Sequence, residues 1–136
     1  MNLEILVPDG VLLDTPIHGL RAADTSGLFG LWPNHEDFAT LLVPCVLSYR
    51  DEEDREHYAA VDGGVLVLRS QTEFGNERRV SIGTREAVLA DRIEEVADAA
   101  AAMLAARRQE ERTAREEFAE LQSSLLREMR KAEKRA

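Results

Sequence analysis

Tyr58-Ala-Ala-Val-Asp-Gly-Gly-Val-Leu-Val-Leu68 sets two short apolar runs on either side of Asp62-Gly63-Gly64. Blocks of Val, Leu and Tyr bounded by Gly, Asp or Pro form strands separated by turns. The same pattern extends outward in both directions, through Leu3–Val7, Val11–Leu13, Leu28–Leu31, Ala39–Val43 and Val46–Tyr49. These runs are punctuated by Pro8-Asp9-Gly10, Asp14-Thr15-Pro16, Pro33-Asn34, the acidic run Asp51–Glu56 and Phe74-Gly75-Asn76. Strand starts recur about every ten residues with no helical stretch between them, which predicts an antiparallel sandwich or flattened barrel rather than βαβ units. Ile5, Val7, Leu42, Val46, Val65 and Val67 are expected to fill its core, with Gly27, Gly30 and Pro33 pinning one turn.

From Asp91 the alphabet changes: Gly and Pro disappear, and Ala, Glu, Arg and Leu take over to the end. This is helix composition. Ile93, Val96, Ala100, Met103 and Leu104 fall on one helical stripe, and Phe118, Leu121, Leu125 and Met129 on another. Between them, Ala105 to Glu117 carries no large apolar side chain, and Thr113-Ala-Arg-Glu116 matches a capping box. These features predict a helical hairpin turning near Gln109–Thr113. The expected architecture is an all-β sandwich or flattened barrel over residues 1–88, followed by a C-terminal α-helical hairpin over 89–136.

At 136 residues the chain can bury one modest core. Its net charge of -9 is uneven, because residues 1–106 carry 8 basic against 19 acidic side chains and residues 107–136 carry 9 against 7. An acidic body argues against free nucleic acid as a partner, since phosphate binding needs a basic surface. The first residues hold no basic leader before an apolar run, and no segment approaches the roughly 18 apolar residues that span a bilayer, so a cytoplasmic, uninserted chain is expected. Cys45, the one cysteine, sits in the apolar run Val43-Pro-Cys-Val-Leu47, where a thiolate is disfavoured.

No catalytic constellation emerges. Gly27-x-x-Gly30 lacks the third glycine of a dinucleotide motif, and no Gly-Lys-Ser/Thr follows Gly63-Gly64. His18, His35 and His57 with Asp37 would suffice in number for a metal centre, but no pair has the spacing of a zinc motif. No metal and no cofactor are expected. Three readings compete: a coupling or regulatory subunit, a β-domain adaptor with a helical interaction tail, and a small β-barrel metalloenzyme.

Two motifs favour the first. Gly27-x-x-Gly30-x-Trp-Pro33-x-His35, followed by Asp37-Phe-Ala-Thr-Leu-Leu42, resembles a signature of the epsilon subunits of F-type ATP synthases. Tyr58-Ala-Ala-Val-Asp-Gly63-Gly64-Val-Leu-Val67 resembles a second segment of the same family, and the order of a β-sandwich followed by helices agrees with it. His35 to Leu42 and Ser81 to Val96 are also similar to the epsilon subunit of the alternate F-type ATPases, some of which move sodium ions.

The resemblance implies a non-catalytic rotor subunit of the central stalk that couples ATP synthesis or hydrolysis to translocation of protons or sodium ions. It implies a peripheral place on the cytoplasmic face of a bacterial membrane, with the gamma subunit and the polar loops of the c ring as partners. Leu28, Trp32, Asn34 and His35 match the positions that face the c ring, although Leu28 stands where the family usually carries an acid. The family's helices can rise against the alpha/beta catalytic head and obstruct hydrolysis. Arg107, Arg108, Arg112, Arg115, Arg127, Arg130 and Lys131 are the matching basic residues here, and they are equally suited to pairing with Glu110, Glu111, Glu116, Glu117 and Glu120 along a solvated helix. Some members bind ATP through an [IL]-D-x-x-R-A motif; Ile93-Glu94-Glu-Val-Ala97-Asp98 lacks both its Asp and its Arg, so no ATP binding is expected.

Overall fold

A computed structural model of the chain describes residues 1–70 and 77–135; the expected turn at Phe74-Gly75-Asn76 and the side chain of Arg135 lie outside the described residues. Among the described residues eight strands precede one helix: β1 (Asn2–Val7), β2 (Gly10–Pro16), β3 (Gly19–Asp24), β4 (Gly27–Leu31), β5 (Phe38–Arg50), β6 (Glu56–Ser70), β7 (Arg78–Gly83), β8 (Ala87–Ala90) and α1 (Ile93–Arg135). The strand order is β2-β1-β7-β6-β5-β3-β4, with β8 paired to β6. Neighbours are antiparallel except β1 and β7, which run parallel. β2 and β4 are the free edges of this order.

Asp62-Gly63-Gly64 is not a reversal. β6 continues through it for 15 residues and pairs in one unbroken register with the 13-residue β5, from Phe38↔Leu68 to Arg50↔Glu56. Gly63 and Gly64 have φ of 71° and 127°, so they bend the strand, which β7 borders on one side of the bend and β8 on the other. Pro44 stands opposite Asp62 in β5, where the ladder to β3 is interrupted between Ser48 and Leu42, so its missing N–H breaks no bond to β3. Strands that bend in this way let one sheet fold over its own core.

The buried set is Leu3, Ile5, Leu20, Leu31, Leu42, Leu47, Leu66, Leu68, Val80 and Ile82 with Ile17 and Val61. Two expected core residues are corrected: Val65 is 48% exposed and Val67 half-buried, while Leu66 and Leu68 point inward. The run Val-Leu-Val-Leu is apolar on both faces, so alternation alone does not choose the inner one. Ile5 and Leu42 are buried as expected, and Val7 and Val46 are half-buried.

The acidic run forms the β5–β6 hairpin loop. Asp51 closes it by accepting from the backbone N–H of Glu53 (2.9 Å) and Arg55 (3.0 Å). Its other oxygen meets His57 Nε2 at 2.8 Å, and His57 Nδ1 meets Asp91, just ahead of α1, at 2.7 Å. The ring of Tyr49 stacks on His57.

A helical C-terminal region follows the sandwich, but without the hairpin: α1 runs unbroken for 43 residues. Neither Gly nor Pro interrupts Ala105–Glu117, and its alternating Arg and Glu sustain a solvated helix, so Thr113 sits inside α1 rather than at a cap. Two compact units are distinguished, Met1–Met103 and Leu104–Ala136. In the first, Val96 and Met103 bury themselves against Ala60, with Val46, Tyr58, Ala90 and Ala99 around them. In the second, Phe118, Leu121, Leu125 and Met129 are each more than half exposed.

Candidate functional site

Leu28, Trp32, Asn34 and His35 come together on the edge strand β4 and the loop after it. The β3–β4 turn is tied by Asp24, whose carboxylate accepts from Ser26 N–H at 2.8 Å and from Thr40 Oγ1 at 2.7 Å. The hydroxyls of Ser26 and Thr40 hold that carboxyl below the usual range. Leu28, two residues beyond Ser26, is 89% exposed, more than any other large apolar side chain described.

The loop then reverses on a Pro-containing turn: Trp32 C=O accepts from His35 N–H at 2.9 Å, with Pro33 at the position its fixed φ favours. Asn34 is exposed at the tip. His35 is half-buried, donates from Nδ1 to the Glu36 carbonyl (2.8 Å), and sets its ring edge-on to Phe38, which also meets Phe29. Trp32, half exposed, folds its indole back over Gly30. A Cβ on Gly30 would lie 2.2 Å from the Trp32 ring, so a larger residue there would have to displace the indole, and the φ of this glycine is not positive.

One participant was not singled out from the sequence. Arg78, at the start of β7, reaches the loop with its guanidinium and donates to the His35 carbonyl (2.7 Å) and the Asp37 carboxylate (2.6 Å). Forty-one residues separate it from Asp37, and an Arg in Arg-Arg-Val-Ser carries no local signal of such a contact.

A second surface lies on the outward face of the sheet. Leu41 (68% exposed) stands opposite Val65 (48%), Val65 opposite Gly83, Gly83 opposite Leu6, and Leu6 opposite Val11 (59%). One outward row thus crosses five strands without a polar side chain. Contiguous apolar surface of this kind marks an interaction site.

Arg108, Arg112, Arg115, Arg127, Arg130 and Lys131 are exposed, and Arg107 is half-buried. At 3.6 residues per turn Arg112, Arg127, Arg130 and Lys131 lie on the flank of α1 opposite the stripe Phe118, Leu121, Leu125 and Met129, whereas Arg108 and Arg115 lie at its sides. Arg115 donates to the Glu111 carbonyl, Arg127 to Ser124 and Lys131 to Glu128, each at 3.4 Å and within a turn of the helix.

The three histidines are not brought to one place: His57 is taken by Asp51 and Asp91, His35 by Glu36, and His18 donates its N–H to the Arg50 carbonyl. Among the described residues no group of three His, Cys, Asp or Glu side chains is placed to hold a metal. Burial pushes the Cys45 thiol up, away from thiolate chemistry.

Residues 1–95 match the family described as ATP synthase, Delta/Epsilon chain, beta-sandwich domain. This chain belongs to that ATP synthase family. The resemblance to epsilon subunits is borne out by its relatives. ATP synthase epsilon chain 2 of Paraburkholderia xenovorans is 38% identical over 92 residues, covering 67% of this chain and 62% of that protein. ATP synthase epsilon chain 2 of Cereibacter sphaeroides is 36% identical over 89 residues, covering 65% and 57%. The match thus spans about three-fifths of the length of these epsilon chains. The same fold occurs in a chain of the Euglena gracilis mitochondrial ATP synthase (TM-score 0.56, 24% identity, 71% of this chain and 59% of that one). It recurs in the central stalk and c-ring structure of the Tetrahymena thermophila enzyme (TM-score 0.52, 12% identity, 65% of each chain).

Proposed function

We propose that this chain is a non-catalytic rotor subunit in the central stalk of a rotary F-type ATP synthase. Its sandwich docks the gamma subunit through the apolar row from Leu41 to Val11. Its β4 edge and following loop, with Leu28, Trp32, Asn34 and His35, meet the polar loops of the c ring. The subunit is peripheral to the cytoplasmic face of a bacterial membrane; among the described residues no helix is long and apolar enough to cross one.

The observation that carries this reading is the apolar character of β5 and β6 on both faces. A strand that alternates buried and solvated faces needs polar residues at every second position, and Val65-Leu-Val-Leu68 and Leu41-Leu-Val43 do not have them. Residues 66, 68 and 42 are covered within the chain, so the facing set is left for a partner. Burying a Val or Leu side chain contributes about 1.5–3 kcal/mol, so a few such residues suffice to anchor a rigid torque-bearing contact. At the c-ring edge Leu28 offers apolar contact where the family resemblance would put a carboxylate.

The helix supports a regulatory extension of the same role. From Leu104 to Arg135 it runs for roughly 48 Å at 1.5 Å per residue, and its basic flank is complementary to acidic surface on a catalytic alpha/beta head. Obstruction of ATP hydrolysis follows if that flank is presented to the head.

The test uses Leu41→Lys with Val65→Glu, a pair that places opposite charges across one rung and so spares the strand pairing. The doubly substituted chain is expected to fold but to lose co-purification with gamma. Retention of gamma at wild-type stoichiometry would remove this face from the interface.

A further inference from the structure

We infer that Arg78 is the positioning residue of the c-ring loop: its guanidinium fixes the segment His35–Asp37, and with it the presentation of Trp32, Asn34 and His35. The inference rests on the docking role proposed above. The clamp itself is read from hydrogen-bond geometry. Arg78 opens β7 opposite Ser70 of β6 and donates to Ser70 Oγ at 3.0 Å. The same nitrogen, Nη1, reaches Asp37 Oδ1 at 2.6 Å, and Nη2 reaches the His35 carbonyl at 2.7 Å. One rigid fork therefore joins a strand end to both ends of a three-residue segment, which the compact ammonium of a lysine cannot do.

The burial is informative. The Arg78 side chain is only 14% exposed, whereas Asp37 is 71% exposed, and the Arg78 Nε is buried without a hydrogen-bond partner. Burying a cation against a solvated carboxylate, with one donor unmet, is a poor source of stability. Such an arrangement is suited to fixing a loop. The next contacts continue it: the His35 N–H closes the Trp32 turn, and Nδ1 of the same residue holds the Glu36 carbonyl. The segment immobilised by Arg78 is thus the C-terminal anchor of the exposed turn, while the N-terminal anchor is the Trp32 indole over Gly30.

The test compares wild-type full-length chain with Arg78→Met and Arg78→Lys by amide hydrogen exchange and by binding to purified c ring. Met keeps the length and apolar stem but donates nothing; Lys keeps the charge but not the fork. In both, the His35 amide is expected to exchange roughly tenfold faster, the factor that one net hydrogen bond amounts to, with the amides of Leu66 and Ile5 unchanged and c-ring binding weakened. His35 exchange at the wild-type rate would overturn the inference. Equal acceleration at His35, Leu66 and Ile5 would overturn it too, by making Arg78 a general staple of the sandwich. Faster exchange at His35 with undiminished c-ring binding would uphold the clamp and overturn the docking role of the loop.

Discussion

Replacing Gly64 with alanine isolates the feature that turns two long strands into a closed sandwich. Two costs combine. At φ 127° the backbone lies where L side chains are rarely found, worth about 1–3 kcal/mol. A Cβ there would also stand 2.1 Å from the Gly83 carbonyl oxygen, 3.1 Å from its carbon and 3.2 Å from Thr84 Cα. These are backbone atoms of β7 and its end, so no side chain can rotate away, and the strand must shift at about 1–3 kcal/mol, as for overpacking. The sum, about 2–6 kcal/mol, is a large part of the roughly 5–15 kcal/mol that holds a domain together. Gly27→Ala is the control: its φ is 117°, but an added Cβ meets nothing within 4 Å, so it bears the strain without the collision. Urea unfolding followed by circular dichroism measures both. Gly64→Ala should fall below Gly27→Ala by at least about 1 kcal/mol. Equal midpoints would refute the reasoning that β7 packs against Gly64.

Leu66→Ala, which empties a fully buried site, should cost about 2–5 kcal/mol by thermal or urea unfolding, whereas Val65→Thr on the exposed face of the same strand should stay within about 0.5 kcal/mol. Hydrogen bonds donated to Asp51 first, and Asp91 second, raise the His57 pKa above its ordinary 6.5, and the bond from His57 lowers that of Asp51. The His57 contribution is therefore fully present below pH 6.5 and lost as pH rises through the raised native value. The stability gap between wild type and His57→Gln, measured by urea unfolding at a series of pH values, should narrow as pH rises above 6.5; a gap that widens would contradict the pairing. Ending the chain at Ala106 should leave the sandwich's melting temperature unchanged, because its core lies in Met1–Met103, and should raise the ATP hydrolysis rate of the assembled complex if the basic flank obstructs it.

Element type was legible because strand and helix compositions are segregated on either side of Asp91. Continuity was not. Gly63-Gly64 has the chemistry of a tight turn and also that of a bend, and only the pairing of β5 along the full length of β6 separates the two. The inner face of β6 was equally undetermined, since Val65 and Leu66 are both apolar; the ambiguity is itself the trace of a second covered face. Helix continuity through Ala105–Glu117 was masked by a capping box that arises readily in a Thr- and Glu-containing helix. At the candidate site, Gly30, Trp32 and His35 announced themselves by residue type, and what lies over Gly30 is a side chain, the Trp32 indole. Arg78 was invisible because its partners lie 41 and 43 residues away across two strands.

Co-elution of the full-length chain with its own gamma subunit and catalytic head, by size exclusion at moderate salt, tests the rotor assignment most directly. A stoichiometric complex that survives the column is the expected result. A chain that elutes alone in the presence of competent gamma would contradict the assignment and leave a β-domain with a helical tail whose partner lies elsewhere.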